Sequence, residues 1–395
     1  MTAPEPEPRA VPVPYPIPGF EFVDQPGNLT GAIERIRGAK ALAVDTEADS
    51  MHSFFEKVCL VQLATETGAA YVVDPLALGG LGDLAGVFAD NATVKVFHGA
   101  DFDVMSLRRD FGFEFRGIFD TMLAGQLLGD AKLSLRDYII RFFGVTLEKA
   151  YTTCDWAKRP LDGKQLEYCY HDVAYLVQLM EIQRQRLIDA DLVEESEIEF
   201  ERLARREAAK KEFDPHAWAK LDGARDLGPI QQAALARLFA LRDKHARALD
   251  RPPFKVVSND TMVRIVQTMR ASPEGLRGMK GVSTYVSGRM GREILDAFAA
   301  AEAEGGPPPR PRSSKPSDPL RRMDMTAQRR FGLLKDWRNV ASARTKITTM
   351  AILPNYAMFE VARIRPQTTE ELAAIPGVGA KRAERWGAEI LGVMP

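Results

Sequence analysis

Five side chains in three short stretches of this chain have the types and spacings that metal-assisted hydrolysis uses. Asp45 and Glu47 stand two apart, directly after the apolar run 41–44. Strand side chains alternate between faces, so both acids would share one face at a strand end. Asp103 closes the stretch FHGADFD (97–103), where a strand pattern runs into a helical one. Tyr168 and Asp172 open and close YCYHD (168–172). Four apart in a helical segment, they share a face. If the fold joins the three stretches, four carboxylates converge. Like charges that close repel, and burial raises their pKa values. Two divalent cations would balance the four charges, and hard oxygen ligands suit Mg²⁺ or Mn²⁺. Two such ions about 3.5–4 Å apart activate a water and stabilise the leaving oxygen in phosphodiester cleavage. Tyr168 would orient that water or help to deprotonate it.

These stretches need elements to hold them. Residues 20–130 read as α/β. Strands are expected at 41–45, 57–64, 70–73, 94–97 and 118–119, the second and third joined as a hairpin through 65–68. Helices are expected at 81–89, 101–109 and 121–128. Local strand pairing followed by strand-helix alternation predicts a mixed sheet flanked by helices. From about 134 the periodicity is helical, with one apolar stripe running through 165–190. The charged stretch 194–211 reads as a solvated helix bridging domains. Residues 226–302 and about 325–393 read as wholly helical, and GGPPPRPRSSKPSDP (305–319) as a linker. Both helical regions carry an Arg-rich early helix, a proline break, a glycine turn (278–281 and 377–379) and a last helix. This predicts a degenerate repeat of about 80 residues. The fold class is therefore α/β followed by all-α. Its expected boundaries are a proline-rich tail at 1–19, an α/β domain at 20–205, helical domains at 226–303 and 321–395, and a linker at 304–320.

The chain has 395 residues, a net charge of −1, 45% hydrophobic and 27% charged residues, in the ordinary range for globular protein. Basic residues crowd into 310–346, which would attract phosphate. Three cysteines with no C-x-x-C spacing argue against a disulfide framework or a zinc finger, and suggest a reducing, cytoplasmic setting. The N-terminal 20 residues lack the apolar core of a signal peptide, and no apolar run approaches the length of a membrane span. No G-x-x-x-x-G-K-[ST] phosphate loop is present.

The order D-x-E, H-x-x-x-x-D, Y-x-x-x-D resembles the DEDD superfamily of 3′-5′ exonucleases in its tyrosine subtype. DTMLAGQLLG (120–129), LSLRDYIIRFFGV (133–145) and DWAKRPLDGKQLEYCYHDVAYL (155–176) are similar to stretches of the ribonuclease D family. The resemblance covers residues from about 20 to 190. It implies an RNase H-like fold, metal ligands at Asp45, Glu47, Asp103 and Asp172, and a water-positioning Tyr168. The sister subtype has a histidine five positions before the last aspartate, where this chain has Glu167. The helical regions resemble HRDC domains, clearest at 240–265 and 372–391, which implies RNA binding. The resemblance also implies a substrate with a free RNA 3′ end, tRNA precursors among them, and release of nucleoside 5′-monophosphates.

Several residues keep two readings. His98 either contacts substrate or satisfies a buried polar group. Lys158 and Arg159 either grip a substrate phosphate or form a solvated turn. Where the family often places an aromatic after Asp-Thr-Glu, this chain has Ala48, so Phe54, Phe55 or Phe102 is the candidate ring for the terminal base. The 377–379 glycine turn would expose backbone N–H groups to phosphate. A DNA 3′-5′ exonuclease and a catalytically silent RNA-binding protein remain the alternative functions. Protein partners are not indicated.

Overall fold

The computed structural model describes residues 19–146, 151, 153–207, 212–268, 273–307 and 323–394. The proline-rich tail and nearly all of the expected linker lie outside them. The described residues form two compact units, one drawn from 1–48, 58–208 and 315–395, the other from 49–57 and 209–314.

The first unit holds a six-stranded mixed sheet. Its strands are β1 (Glu21–Val23), β2 (Ala41–Ala48), β3 (Val58–Thr65), β4 (Ala70–Val73), β5 (Val94–Phe97) and β6 (Ile118–Asp120), in the order β1-β4-β3-β2-β5-β6. β2, β3 and β4 pair antiparallel, while β2–β5, β5–β6 and β1–β4 pair parallel. The five expected strands are present. β1 has only three residues, too few to show an alternation in the sequence.

The two faces of the sheet differ in side-chain size. Leu42, Val44, Val61 and Leu63 face a core shared with α1 (Pro26–Ile36) and α2 (Asp101–Phe111). Ala41, Ala43, Ala64 and Ala70 face the other way, toward α3 (Thr121–Leu128), α5 (Gly163–Val173) and α6 (Leu176–Asp189). Small side chains there let those helices pack close to the sheet. Between α3 and α5 lies α4 (Leu135–Phe143), N-capped by Ser134. The single helical stripe expected over 165–190 is two helices, α5 and α6, separated at Ala174–Tyr175. Neither proline nor glycine marks that break.

α7 (Val193–Ala204) departs from the sequence reading. It is not a solvated bridge, because Glu195, Ser196, Glu199, Phe200 and Leu203 are all buried. Phe200 packs on Phe119 of β6. The C-terminal helices are α11 (Met325–Thr345), α12 (Asn355–Ile364) and α13 (Gly379–Gly392), and the acids face the last two. Tyr356 donates to Glu199 at 2.7 Å, and the Lys381 N–H donates to both oxygens of Glu194 at 3.2 Å. A charged helix is buried here because its partners supply donors that the local sequence cannot show.

The second unit is helical, built on α8 (Pro229–Ala248), α9 (Asn259–Thr268) and α10 (Gly291–Glu304) around Leu235, Leu238, Met262, Ile265 and Ile294. Trp218 and the loop 49–57 join it. Phe54 packs on its core, and Asp250 accepts from the Phe54 and Phe55 N–H groups at 3.0 and 2.9 Å. The repeat shows itself in hydrogen bonding. Arg242 donates to the Val257 carbonyl and to Asn259, 15 and 17 residues on. Arg338 donates to the Leu353 carbonyl and to Asn355, again 15 and 17 residues on.

Candidate active site

The site forms where parallel strands end. β2 and β5 pair only over Ala41–Ala43 and Val94–Val96. β2 runs on alone beside β3, carries Asp45 and Glu47 past that pairing, and bulges after Glu47. Bulges next to functional sites re-aim side chains. The crevice beyond the carboxyl ends of such strands is where α/β sheets bind ligands.

Three elements deliver the acids. Asp45 and Glu47 share the sheet face that α5 covers. Thr46 points to the opposite face, and its hydroxyl donates to Asp103 Oδ1 at 2.5 Å. Asp103 reaches this position because α2 begins immediately after a turn at Gly99, whose φ is +79°. A Cβ at Gly99 would stand 3.0 Å from the Met122 methyl. Asp120 ties the turn to the end of β6, accepting from the Ala100 N–H at 2.7 Å and from the Met122 and Leu123 N–H groups at 2.8 and 2.9 Å. From α5, Asp172 comes in over β2. Asp45, Glu47 and Asp172 each offer a carboxylate oxygen, all within 4.8 Å of one another. Asp103 stands outside that group of three, but its charge acts on Asp45.

The electrostatics describe an anionic cup short of positive charge. Burial, then Asp103, Asp172 and Glu47, push Asp45 well above the usual carboxylate range. Burial and the charges of Asp172 and Asp103 raise Glu47. Asp172 is raised by burial, against which the Tyr168 hydroxyl donates a stabilising hydrogen bond. Burial and the nearby Asp172, Glu47 and Asp45 hold the Tyr168 phenol above its ordinary value, so it remains a donor. Trp156 stacks on the Tyr168 ring at 6.1 Å, and Tyr151 meets it edge-on at 5.7 Å. All four acids are oxygen donors, which suits a hard divalent cation.

Residues 20–188 match the pattern described as 3′-5′ exonuclease, and 231–298 and 327–394 match the HRDC domain. The chain therefore carries a 3′-5′ exonuclease domain followed by two HRDC domains. It is 31% identical over 284 residues to the exosome complex component 10 homolog of Caenorhabditis elegans, covering 71% of this chain and 32% of that protein. It is 28% identical to the ribonuclease D of Desulfotalea psychrophila, covering 66% of this chain and 70% of that one. The catalytic core of RRP6 from Trypanosoma brucei superposes with a TM-score of 0.68 at 27% identity, over 72% of this chain and 80% of that one. Escherichia coli RNase D shares the fold over 95% of this chain and 98% of that one, with a TM-score of 0.63 at 22% identity. The chain spans about a third of the length of the exosome component 10 relatives.

Within the exonuclease domain the remaining candidates separate. Arg159 does not offer its guanidinium to a substrate phosphate. It forms a two-bond ion pair with Asp74, at 2.7 and 2.9 Å, and donates to the Trp156 and Cys59 carbonyls. It thereby fixes the Trp156 loop to the sheet. Lys158 beside it is exposed. Phe102 is 40% exposed, next to Asp103, and Phe55 is exposed in the loop that joins the second unit. Asp101 pairs with Arg206 at 3.0 Å.

His98 follows the buried-group reading. Its Nδ1 lies 2.8 Å from the Thr121 hydroxyl, and burial pushes its pKa down to about 4 against a hydrogen bond with the Leu133 backbone. An unfolded histidine takes up a proton near 6.5. Between these values the unfolded chain binds more protons, so stability falls as pH drops from about 6.5 toward 4. Urea midpoints across that window should fall more steeply for wild type than for His98→Gln, by a difference of about 2 kcal/mol at the acid end. Equal slopes would remove His98 from this role.

The HRDC segments also correct the sequence reading. Arg242, Arg330 and Arg338 are buried and bonded to backbone carbonyls, so they stabilise the helical packing and are not open to phosphate. Arg344 pairs with Glu389. Arg329, Lys335 and Lys346 remain exposed, and the basic residues of 310–322 lie outside the described residues. The 377–379 turn is occupied from within. Glu194 takes the Lys381 N–H, and a Cβ at Gly379 would stand 2.3 Å from a Glu194 oxygen. The carboxylate fills the place expected for a phosphate.

Sequence reasoning missed Thr46, Asp120 and Trp156. Only Asp120 carried a signal, as an N-cap residue ahead of an apolar helix.

Proposed function

We propose that this chain is a metal-dependent 3′-5′ exoribonuclease of ribonuclease D type. The observation that carries the reading is the convergence of Asp45, Glu47 and Asp172 from two elements, with Asp103 tethered beside them through Thr46. These four acids would hold two divalent cations, Mg²⁺ or Mn²⁺. Such ions, when bound, lower the pKa of water and neutralise charge on the leaving oxygen. Tyr168, anchored to Asp172 and packed by Trp156, orients the attacking water with its hydroxyl. The bond cleaved is between phosphorus and the 3′-oxygen of the penultimate nucleotide, which leaves with a proton as the nucleoside 5′-monophosphate is released. The substrates proposed are RNAs with unpaired 3′ ends, tRNA precursors among them, and the proposed site of action is the cytoplasm. Unpaired ends are the usual target of RNA recognition.

Matched RNA and DNA oligonucleotides, 5′-labelled, test the reading. Stepwise shortening of RNA from its 3′ end, abolished by EDTA, is expected. Faster shortening of DNA would favour a DNA exonuclease, and no shortening of either a silent scaffold. Tyr168→Phe keeps the ring and removes the hydroxyl. It should lower kcat about 10- to 100-fold with little change in KM, as expected for loss of a group that positions a proton-transferring water. An unchanged kcat would place the water elsewhere.

A further inference from the structure

Gln62 lies at the centre of β3, fully buried, and neither atom of its amide meets a nitrogen or oxygen partner. Burying an amide without a partner costs about 1–3 kcal/mol. Such an amide in the middle of a strand calls for a reason. In register Gln62 stands directly opposite Asp45 across the antiparallel β2–β3 pair. Opposite residues of such a pair point to the same face with Cβ atoms about 5 Å apart. Gln62 therefore lies under the acid cup, on the face that α5 closes. On α5 the amide meets the Cys169 thiol, a weak partner that leaves its oxygen and one N–H unpaired.

The cup distributes its donors unevenly. Thr46 Oγ1 donates to Asp103, Tyr168 to Asp172, and the Thr46 backbone to Asp45. The Gln62 amide has two N–H groups to give and meets only the Cys169 sulfur, a weak acceptor. We propose that Gln62 is a positioning residue for the metal site, its Nε2 donating to the Asp45 carboxylate when that group turns to ligate a cation. The terminal torsion of glutamine is broad, so the amide turns at little cost. A neutral donor suits this position. It fixes one oxygen of the carboxylate and leaves the other for the cation, without adding a positive charge that would compete with it. Outer hydrogen bonds of this kind are worth about 10- to 100-fold in metal affinity.

This inference rests on the metal reading of the cup, and the test separates the two. Mg²⁺ is titrated calorimetrically into wild type, Asp45→Ala and Gln62→Met, and thermal unfolding is followed in EDTA. Methionine keeps the length and removes both polar atoms. Gln62→Met should bind Mg²⁺ at least tenfold more weakly. In EDTA, Gln62→Met should unfold at the same or a higher temperature, because an unsatisfied amide has gone. Wild-type affinity in Gln62→Met overturns the proposal, whatever its melting temperature. If wild type and Asp45→Ala bind Mg²⁺ alike, the metal reading itself fails and this inference with it.

Discussion

Asp45→Ala should lose at least a thousandfold of its exonuclease rate while remaining folded. Asp45 sits where the three delivering elements meet. It shares the 4.8 Å group with Glu47 and Asp172, and of the other acids Asp103 acts on it most. Removing it takes away the acid that all three of the others act on. A thousandfold corresponds to about 4 kcal/mol of transition-state stabilisation, within what a metal site supplies. The sign of the stability effect is opposite. Without a cation the cup is a set of buried like charges, so deleting one relieves repulsion, and the melting temperature in EDTA should hold or rise. Added Mg²⁺ should stabilise wild type by about 2.7 kcal/mol at a hundred times Kd, and the variant hardly at all. A rate assay on 5′-labelled RNA and a melting series with and without Mg²⁺ check both. Residual activity above a few per cent of wild type would mean that Asp45 is not a ligand of the reactive centre.

The second large effect lies far from the chemistry. Arg382→Ala should destabilise the unit that contains the C-terminal helices by about 3–5 kcal/mol, read as a lowered urea midpoint. Arg382 is 0% exposed, and its guanidinium donates to the Ala351, Gly377 and Met350 carbonyls. It also faces the buried carboxylate of Glu195 and the charges of Glu199 and Glu194. The alanine variant leaves three carbonyls without their donor, an acidic seam without its cation, and a cavity the size of the lost side chain. Lys381→Met, one position away, removes an exposed pair with Asp191 and should barely move the midpoint. If the two variants behave alike, the buried arginine is not what joins α7 to α13.

The contrast between these arginines and the acids shows where sequence reading holds. The acids were legible because their spacing obeys local geometry. Residues two apart on a strand and four apart on a helix share a face whatever the rest of the chain does. Most strands of the exonuclease domain were legible for the same reason, as apolar runs bounded by turns. The HRDC arginines misled because a basic residue on a helix looks the same in sequence whether it meets solvent or a buried carbonyl. Arg242 and Arg338 are spoken for by acceptors 15 and 17 residues away, and a periodicity of 3.6 says nothing at that distance. The acidic stretch in α7 misled in the same way, since its partners come from α12 and α13, 157 and 187 residues later.

Residue types and short spacings alone determined which side chains could hold cations and water, and which face each acid would take within its own element. The tertiary structure alone decided that the three elements meet at the open ends of β2 and β5. It also decided that Thr46 carries Asp103 to the cup from the far face, that Arg159 holds a loop, that Glu194 fills the glycine turn, and that Gln62 waits beneath Asp45. The division follows from range. Backbone geometry correlates residues over one or two turns, whereas pairing between elements is set by packing and charge satisfaction across the whole chain.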